Sequence, residues 1–196
     1  MVHMNKRSGI ESRKRILDAA MKVFSGHGYA KANMRMIAKA ADISIGGLYL
    51  YFRNKEDLCF TLIKNRLDDL AGRTREALGD IDDPAEAIGK FISIHIKYVK
   101  KHRELILVQG REHGFAFGIE IKKKFFRSQR KLLEDIIRKG IKAGVFRKCD
   151  VEESAKIIFG AIRGFVLSIV VEPDSLFLPE ECSNLILNGL VRRNNK

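Results

Sequence analysis

Apolar residues recur at helical spacing from near the start of the chain. Between Ser12 and Ser25 they fall at Ile16, Ala20, Val23 and Phe24, one stripe of an amphipathic helix, with Arg13, Lys14, Arg15 and Lys22 off the stripe. Gly26 and Gly28 read as its stop. Asn33 is a suitable N-cap for a second short helix in which Met34, Ile37, Ala38 and Ala41 recur. Asp42-Ile43-Ser44 supplies a turn, and Ser44 caps a third helix reaching about Phe52. Asn54 caps a fourth, with Asp57 near the capping-box position. From Lys55 onward the pattern is one of long helices broken at 79–84, 101–103, 110–118, 144–150 and 173–179, which gives six further helices.

The segment from Ile37 to Phe52 fits two short helices crossing on a tight turn. Ala38 and Ala41 are small enough for close approach, and Ile37, Ile43, Leu48 and Phe52 can fill the space beneath. A helix of about eight residues spans roughly 12 Å, enough to enter a major groove of about that width. Ile45, Leu48, Tyr49 and Phe52 stand at i, i+3, i+4 and i+7, so a plain packing reading buries all four. For Tyr49, a core position and an outward polar contact both remain open. Adjacent Gly46 and Gly47 cost a helix roughly 1 kcal/mol each relative to alanine. Either the backbone there must approach something closely, or the pair is drift.

With 196 residues, 45% of them hydrophobic, the chain can bury a sizeable core, and 3 prolines with no Trp favour an all-helical protein. The net charge of +13 is unevenly placed: residues 1–55 hold 11 Lys+Arg against 3 Asp+Glu, and the remainder 26 against 21. Such a basic first quarter is the electrostatic footprint of a nucleic-acid-binding module, although a solvated basic face would look the same. Cys59, Cys149 and Cys182 are odd in number and widely spaced, suggesting neither a disulfide framework nor a zinc site. A reducing cytoplasm fits that usage. The N-terminus lacks an apolar signal region. The most apolar run, Phe165 to Val171, is about a third of the roughly 20 residues needed to cross a bilayer, so a soluble protein without a membrane partner is expected.

Residues 10–58 resemble the DNA-binding domain of the TetR family of one-component bacterial repressors. The resemblance is carried by Ile37-Ala38, Ser44, Gly46, Leu48-Tyr49, Tyr51-Phe52 and Lys55-Glu56-Asp57-Leu58. It implies an all-α fold: a three-helix helix-turn-helix domain over 1–54 joined to a larger helical ligand-binding and dimerisation domain over 55–196. It further implies that Ser44 caps the recognition helix, that Gly46, Gly47 and Tyr51 lie near base edges, and that Tyr49 and Lys55 touch phosphate. Ile45 replaces a frequent lysine and Gly47 a frequent Thr, Ser or Ala. Arg35, with Asn33 at the start of the second helix, suits a phosphate anchor, since most protein–DNA hydrogen bonds go to the backbone.

Aromatic and apolar residues gather in the second part. Phe91, His95, Tyr98, Leu107, His113, Phe115 and Phe126 are candidates for a cavity taking a small-molecule effector, as the resemblance implies. His95 and Tyr98, at i and i+3, can present polar tips to one cavity. Helices over about 151–171 and 179–192 resemble the family's dimer pair. Ile158, Ala161, Ile162, Phe165 and Ile169 would form one apolar face, Gly160 and Gly164 would admit a partner helix, and Leu185, Ile186 and Leu190 would complete the contact. A two-fold homodimer places recognition helices about 34–36 Å apart and predicts a palindromic operator on double-stranded DNA.

The expected function is therefore a ligand-released repressor needing no cofactor or metal. A nonspecific nucleic-acid binder would explain the charge without needing the apolar second part. An activator and an enzyme remain as alternatives. For an enzyme there is no Gly-rich phosphate loop, no His-Glu-x-x-His and no paired Cys set, and Arg111-Glu112-His113 are helix neighbours that do not face one another.

Overall fold

The computed structural model describes residues 6–108, 118–172 and 178–191. Among these residues there are nine helices and no strand. In order they are α1 (Lys6–His27), α2 (Met34–Ala40), α3 (Ile45–Tyr49), α4 (Lys55–Gly79), α5 (Pro84–Lys101), α6 (Arg103–Val108), α7 (Ile119–Lys142), α8 (Val151–Val171) and α9 (Pro179–Leu190). They form two compact units. The first runs to Arg66 and takes in Leu107, Val108 and Gly118; the second comprises Leu67–Ile106 and the chain from Ile119 on. The units part within α4, some dozen residues beyond the expected 54/55 boundary, because the first turns of α4 bury Leu58, Cys59, Leu62 and Ile63.

In the first unit α1 packs on α2 and α2 on α3. α1 is longer than its apolar stripe foretells and runs through Gly26; the stop comes at Gly28, whose φ of 76° only glycine adopts freely. Its inner face buries Ile16, Ala20 and Phe24 beside Ile37, Leu48 and Phe52, all at 1% exposure or less. Burying a side chain of this size contributes roughly 1.5–3 kcal/mol. α2 ends in a two-bond reverse turn: Ile43 N–H donates to Ala38 O (3.1 Å) and Asp42 N–H to Lys39 O (3.2 Å). That turn requires a left-handed residue, and Asp42 takes it at φ 52°.

In the second unit α5 is central, packed by α7, α8 and α9, with α7 also against α8. Asp83 caps α5 and Pro84 opens it; Asp150 caps α8 by accepting from Glu153 N–H at 3.0 Å. The α7–α8 connection turns at Gly144 (φ 73°) and lays the Phe146 ring on Gly140, where an added Cβ would run into the ring. Phe146 and Val191 form an isolated bridge, and Arg147 N–H donates to Leu190 O at 3.0 Å, tying the end of α9 to this turn.

By length and composition α8 is apolar enough to cross a membrane, with a mean hydropathy of 1.8 over its most apolar window. The Phe165–Val171 run therefore understates it. Here α8 is a core helix on one face, burying Ala155, Ile158, Ile162, Phe165 and Ile169.

Candidate nucleic-acid interface and ligand site

The geometry of the α2–α3 pair follows from its caps. The Asn33 carboxamide oxygen accepts from Met36 N–H (3.0 Å), and the Ser44 hydroxyl accepts from Gly47 N–H (3.0 Å), each satisfying a donor that a helix start leaves open. Asn54 accepts from Asp57 N–H at 2.8 Å while the Asp57 carboxylate reaches back to Arg53 N–H at 3.1 Å, a reciprocal box one residue wider than usual.

On α3, Leu48 is buried, and Phe52 just beyond the helix is buried too, but Ile45 and Tyr49 are not: Ile45 is 38% exposed and Tyr49 53%. The plain packing reading thus fails for half of its stripe, and the core alternative for Tyr49 with it. The reason is length: α3 is five residues long, so only the positions over the α2 contact are covered. Gly46 has open space where a Cβ would stand, so nothing within the protein demands glycine there; at Gly47 a Cβ would press the Ser44 hydroxyl at 3.1 Å. Leu50, 80% exposed at the C-cap of α3, is an outward apolar residue that the stripe analysis passes over. The signal lay in its being one position off the buried spacing. Arg35 and Asn33 are exposed, whereas Tyr51 is half-buried.

Lys55 departs from expectation. Its ammonium donates to Tyr29 O (2.7 Å), Ala32 O (2.9 Å) and, more weakly, Ala30 O (3.5 Å), and lies 4.1 Å from the centre of the Tyr29 ring. With its three donors directed at carbonyls of the α1–α2 connection, Lys55 holds the head together instead of facing outward. Arg13 similarly lies over the Phe52 ring at 4.8 Å.

In the second unit the aromatic side chains form one cluster. Phe91 stacks on His95 (centroids 4.1 Å apart), and His95 meets Phe159 edge-on at 6.0 Å and Phe125 at 6.3 Å. Phe126 contacts both Phe125 (5.9 Å) and Phe159 (5.5 Å). Of the candidates, Phe91, His95 and Phe126 therefore come together. Tyr98 does not join them. Its hydroxyl donates to Asp69 at 3.1 Å and its ring lies 4.2 Å from that of His102, on a surface groove of about 420 Å³ lined also by Arg73 and Lys97. Asp69 on α4 draws Tyr98 away, so His95 and Tyr98 share no cavity. Leu107 is half-buried, while His113 and Phe115 lie outside the described residues.

Phe159 and Gln129 complete the cluster and escape sequence reading. Gln129 is the one uncharged polar member of the buried α7 stripe Phe125, Gln129, Leu133, Ile137, and that irregularity was the available signal. His95, 2% exposed, donates its Nδ1–H to Phe91 O at 2.9 Å. Burial lowers its pKa from 6.5 to about 4, so the ring is neutral at physiological pH.

The dimer stripe needs correction. Ile158, Ile162, Phe165 and Ile169 face the interior of their own subunit, at 3% exposure or less, and Leu190 is buried as well. Ala161 and Ile186 are half-buried and Leu185 is 78% exposed. The outward face of α8 is instead Ile157 (69% exposed), Gly160, Gly164, Leu167 and Val171. The exposed charges Glu152, Glu153, Lys156 and Arg163 are too sparse to set the outward apolar strip of α8 apart from the buried one. None of the three cysteines is in a disulfide, and among the described residues no group of three His, Cys, Asp or Glu is placed to hold a metal.

A capped helix-turn-helix head followed by a larger helical unit defines a bacterial-type DNA-binding regulator. The chain belongs to the tetR family of bacterial regulatory proteins, whose family profile matches residues 16–61, and a second profile, that of the YsiA-like protein C-terminal region, matches residues 63–189. It is 28% identical over 182 residues to the fatty acid metabolism regulator protein of Bacillus subtilis, covering 89% of this chain and 93% of that one. It is 29% identical over 141 residues to the transcriptional repressor KstR2 of Mycobacterium tuberculosis, 69% of each chain. Its fold matches that of the regulator FadR of B. subtilis solved with stearoyl-CoA, with TM-score 0.74 and 26% identity over 90% of this chain and 98% of that one. These relatives are transcriptional regulators, which sets the enzyme alternative aside.

Proposed function

We propose that this protein is a transcriptional repressor that binds a palindromic operator as a homodimer and is released by a small apolar effector held in the second unit. The carrying observation is the outward face of α3. Ile45, Gly46, Tyr49 and Leu50 are exposed on a head with 11 Lys+Arg in its first 55 residues, and open space surrounds Gly46. In this reading Ile45 and Leu50 meet thymine methyl groups and the bare backbone at Gly46 admits a base edge. Tyr49, Asn33 and Arg35 position the head on phosphate, Gly47 keeps the Ser44 cap intact, and half-buried Tyr51 sits at the rim of the base contacts.

The outward strip of α8, with Leu185 of α9, is the surface on which two copies meet. Its small residues, Gly160 and Gly164, let helices approach closely, as family membership leads one to expect. The aromatic cluster of Phe91, His95, Phe125, Phe126 and Phe159 receives the effector, and the stearoyl-CoA complex of the FadR relative supports an acyl-type molecule. Location in the cytoplasm follows from this role.

The test is competition binding at moderate salt. A palindromic duplex selected from random sequence should outcompete random duplex by a factor of about 10³ or more, and a long-chain acyl-CoA should lower that affinity. Equal affinity for selected and random duplex would establish the nonspecific alternative.

A further inference from the structure

The outer surface of α3 is poor in hydrogen-bonding groups. Successive helical residues stand about 100° apart, so Ile45, Tyr49, Gly46 and Leu50 follow one another, in that order, around about 140° of it. Leu50 keeps helical backbone angles at the C-cap and so continues the arc. All four residues are exposed, Ile45 at 38%, Tyr49 at 53% and Leu50 at 80%. Two apolar side chains therefore stand at the edges of the arc. Between them lies the bare backbone of Gly46, where an added Cβ would meet open space. Leu48 and Phe52, both buried, hold this short segment in place from beneath.

What such an arc distinguishes in a major groove follows from the groups it offers. From Ser44 to Leu50 there is no guanidinium, ammonium, carboxamide or carboxylate. Those are the groups that pair with two atoms of guanine or adenine, or accept from the cytosine amino group. The two hydroxyls do not replace them. The Ser44 oxygen already accepts from Gly47 N–H at 3.0 Å, and the Tyr49 phenol both donates and accepts, so neither singles out one base edge. Asn33, Arg35 and Arg53 belong to the flanking segments, and the Asn33 carboxamide oxygen is engaged by Met36 N–H. One feature of the groove is recognised by an apolar side chain: the methyl group on C5 of thymine. Covering it removes apolar surface from water on both partners, and Leu50, almost fully exposed, has the most to cover.

We propose that α3 reads the C5 methyl group itself and not the base pair that carries it, so that 5-methylcytosine stands in for thymine and DNA affinity responds to cytosine C5 methylation. The inference rests on the operator reading given above and adds the chemical group that is read. Thymine and 5-methylcytosine hold the methyl at the same place on the major-groove edge. They differ at position 4, where one offers a carbonyl oxygen and the other an amino group. No side chain on the arc of α3 requires either, and water satisfies both. Uracil is the converse case. It keeps every hydrogen-bonding group of thymine and lacks only the methyl.

The test uses the full-length protein and the palindromic duplex selected from random sequence. Thymines are replaced one position at a time by uracil, by cytosine or by 5-methylcytosine, with guanine opposite the last two. At one or two positions in each half-site, uracil should lower affinity by about fourfold per methyl lost, the worth of one buried methylene, and 5-methylcytosine should return it to within about twofold of thymine. Unmethylated cytosine should bind at least as weakly as uracil. Ile45→Ala and Leu50→Ala, both at exposed positions, should each erase the preference for thymine over uracil at one of these positions, with melting unchanged. Uracil duplexes that bind as tightly as thymine ones throughout, 5-methylcytosine that fails to restore affinity, or a preference that survives in both variants would overturn the methyl reader and leave the operator in place. A selected duplex that binds no better than random DNA would overturn the operator reading and the methyl reader with it.

Discussion

At the scale of single residues, the decisive facts are where a polar side chain directs its donors. Lys55 sits in a family motif, yet its ammonium is committed to Tyr29, Ala30 and Ala32 carbonyls inside the head. Lys55→Met should therefore lower the melting temperature through a loss of about 1–3 kcal/mol from orphaned carbonyls. Tyr49→Phe should leave melting unchanged and weaken binding to all duplexes alike, by about threefold to tenfold. Equal melting of Lys55→Met and wild type would place that lysine outside the fold. His95 makes a second prediction. Its folded pKa, about 4, lies below the ordinary 6.5, so the folded state binds fewer protons than the unfolded one as pH falls between these values. Stability present above pH 6.5 should decline toward pH 4, by up to about 3 kcal/mol, and denaturant titrations of His95→Phe should lose that slope. The sequence marked the caps Asn33, Ser44 and Asn54 because a cap is a local bargain between one side chain and the next turn. It missed the commitment of Lys55, which depends on carbonyls more than twenty residues earlier.

At the scale of elements, most helix breaks among the described residues were legible because Gly, Pro or Asp marks them, as at 79–84 and 144–150. The α8 and α9 ranges differ from those read in sequence by at most two residues. Orientation was legible where charges line the side away from a single apolar stripe, as in α1, and not where a second apolar strip competes with the buried one, as in α8. Ile157→Glu on the outward strip should convert the protein to a slower-sedimenting monomer with little change in subunit melting. Ile158→Glu, one residue on, should prevent folding altogether because it places a carboxylate in the core. Analytical ultracentrifugation of the pair distinguishes the two faces; a dimeric Ile157→Glu would move the interface elsewhere. The α7–α8 turn offers another check. Gly140→Ala presses the Phe146 ring and should cost about 1–3 kcal/mol, read as a shift in the urea midpoint.

For the whole molecule, charge and apolar surface divide the labour. Most of the basic excess lies in the first 55 residues, so operator affinity should fall steeply with salt, with a logarithmic slope near the number of phosphates engaged. Adding effector should weaken the complex by the factor by which DNA weakens effector binding, typically about 5–150-fold. A compound that binds tightly yet leaves operator affinity unchanged is not the effector. The composition of α8 reaches further than the interface itself. Buried on one side, it also carries an exposed apolar strip beside its charged residues Glu152, Glu153, Lys156 and Arg163. On the proposed pairing, each newly made subunit carries a greasy strip until it meets a twin, and that wait lengthens as copies become scarce. The rarest copies are then the first lost to clumping or proteolysis, which gives the regulator a minimum working abundance set by how often its subunits collide.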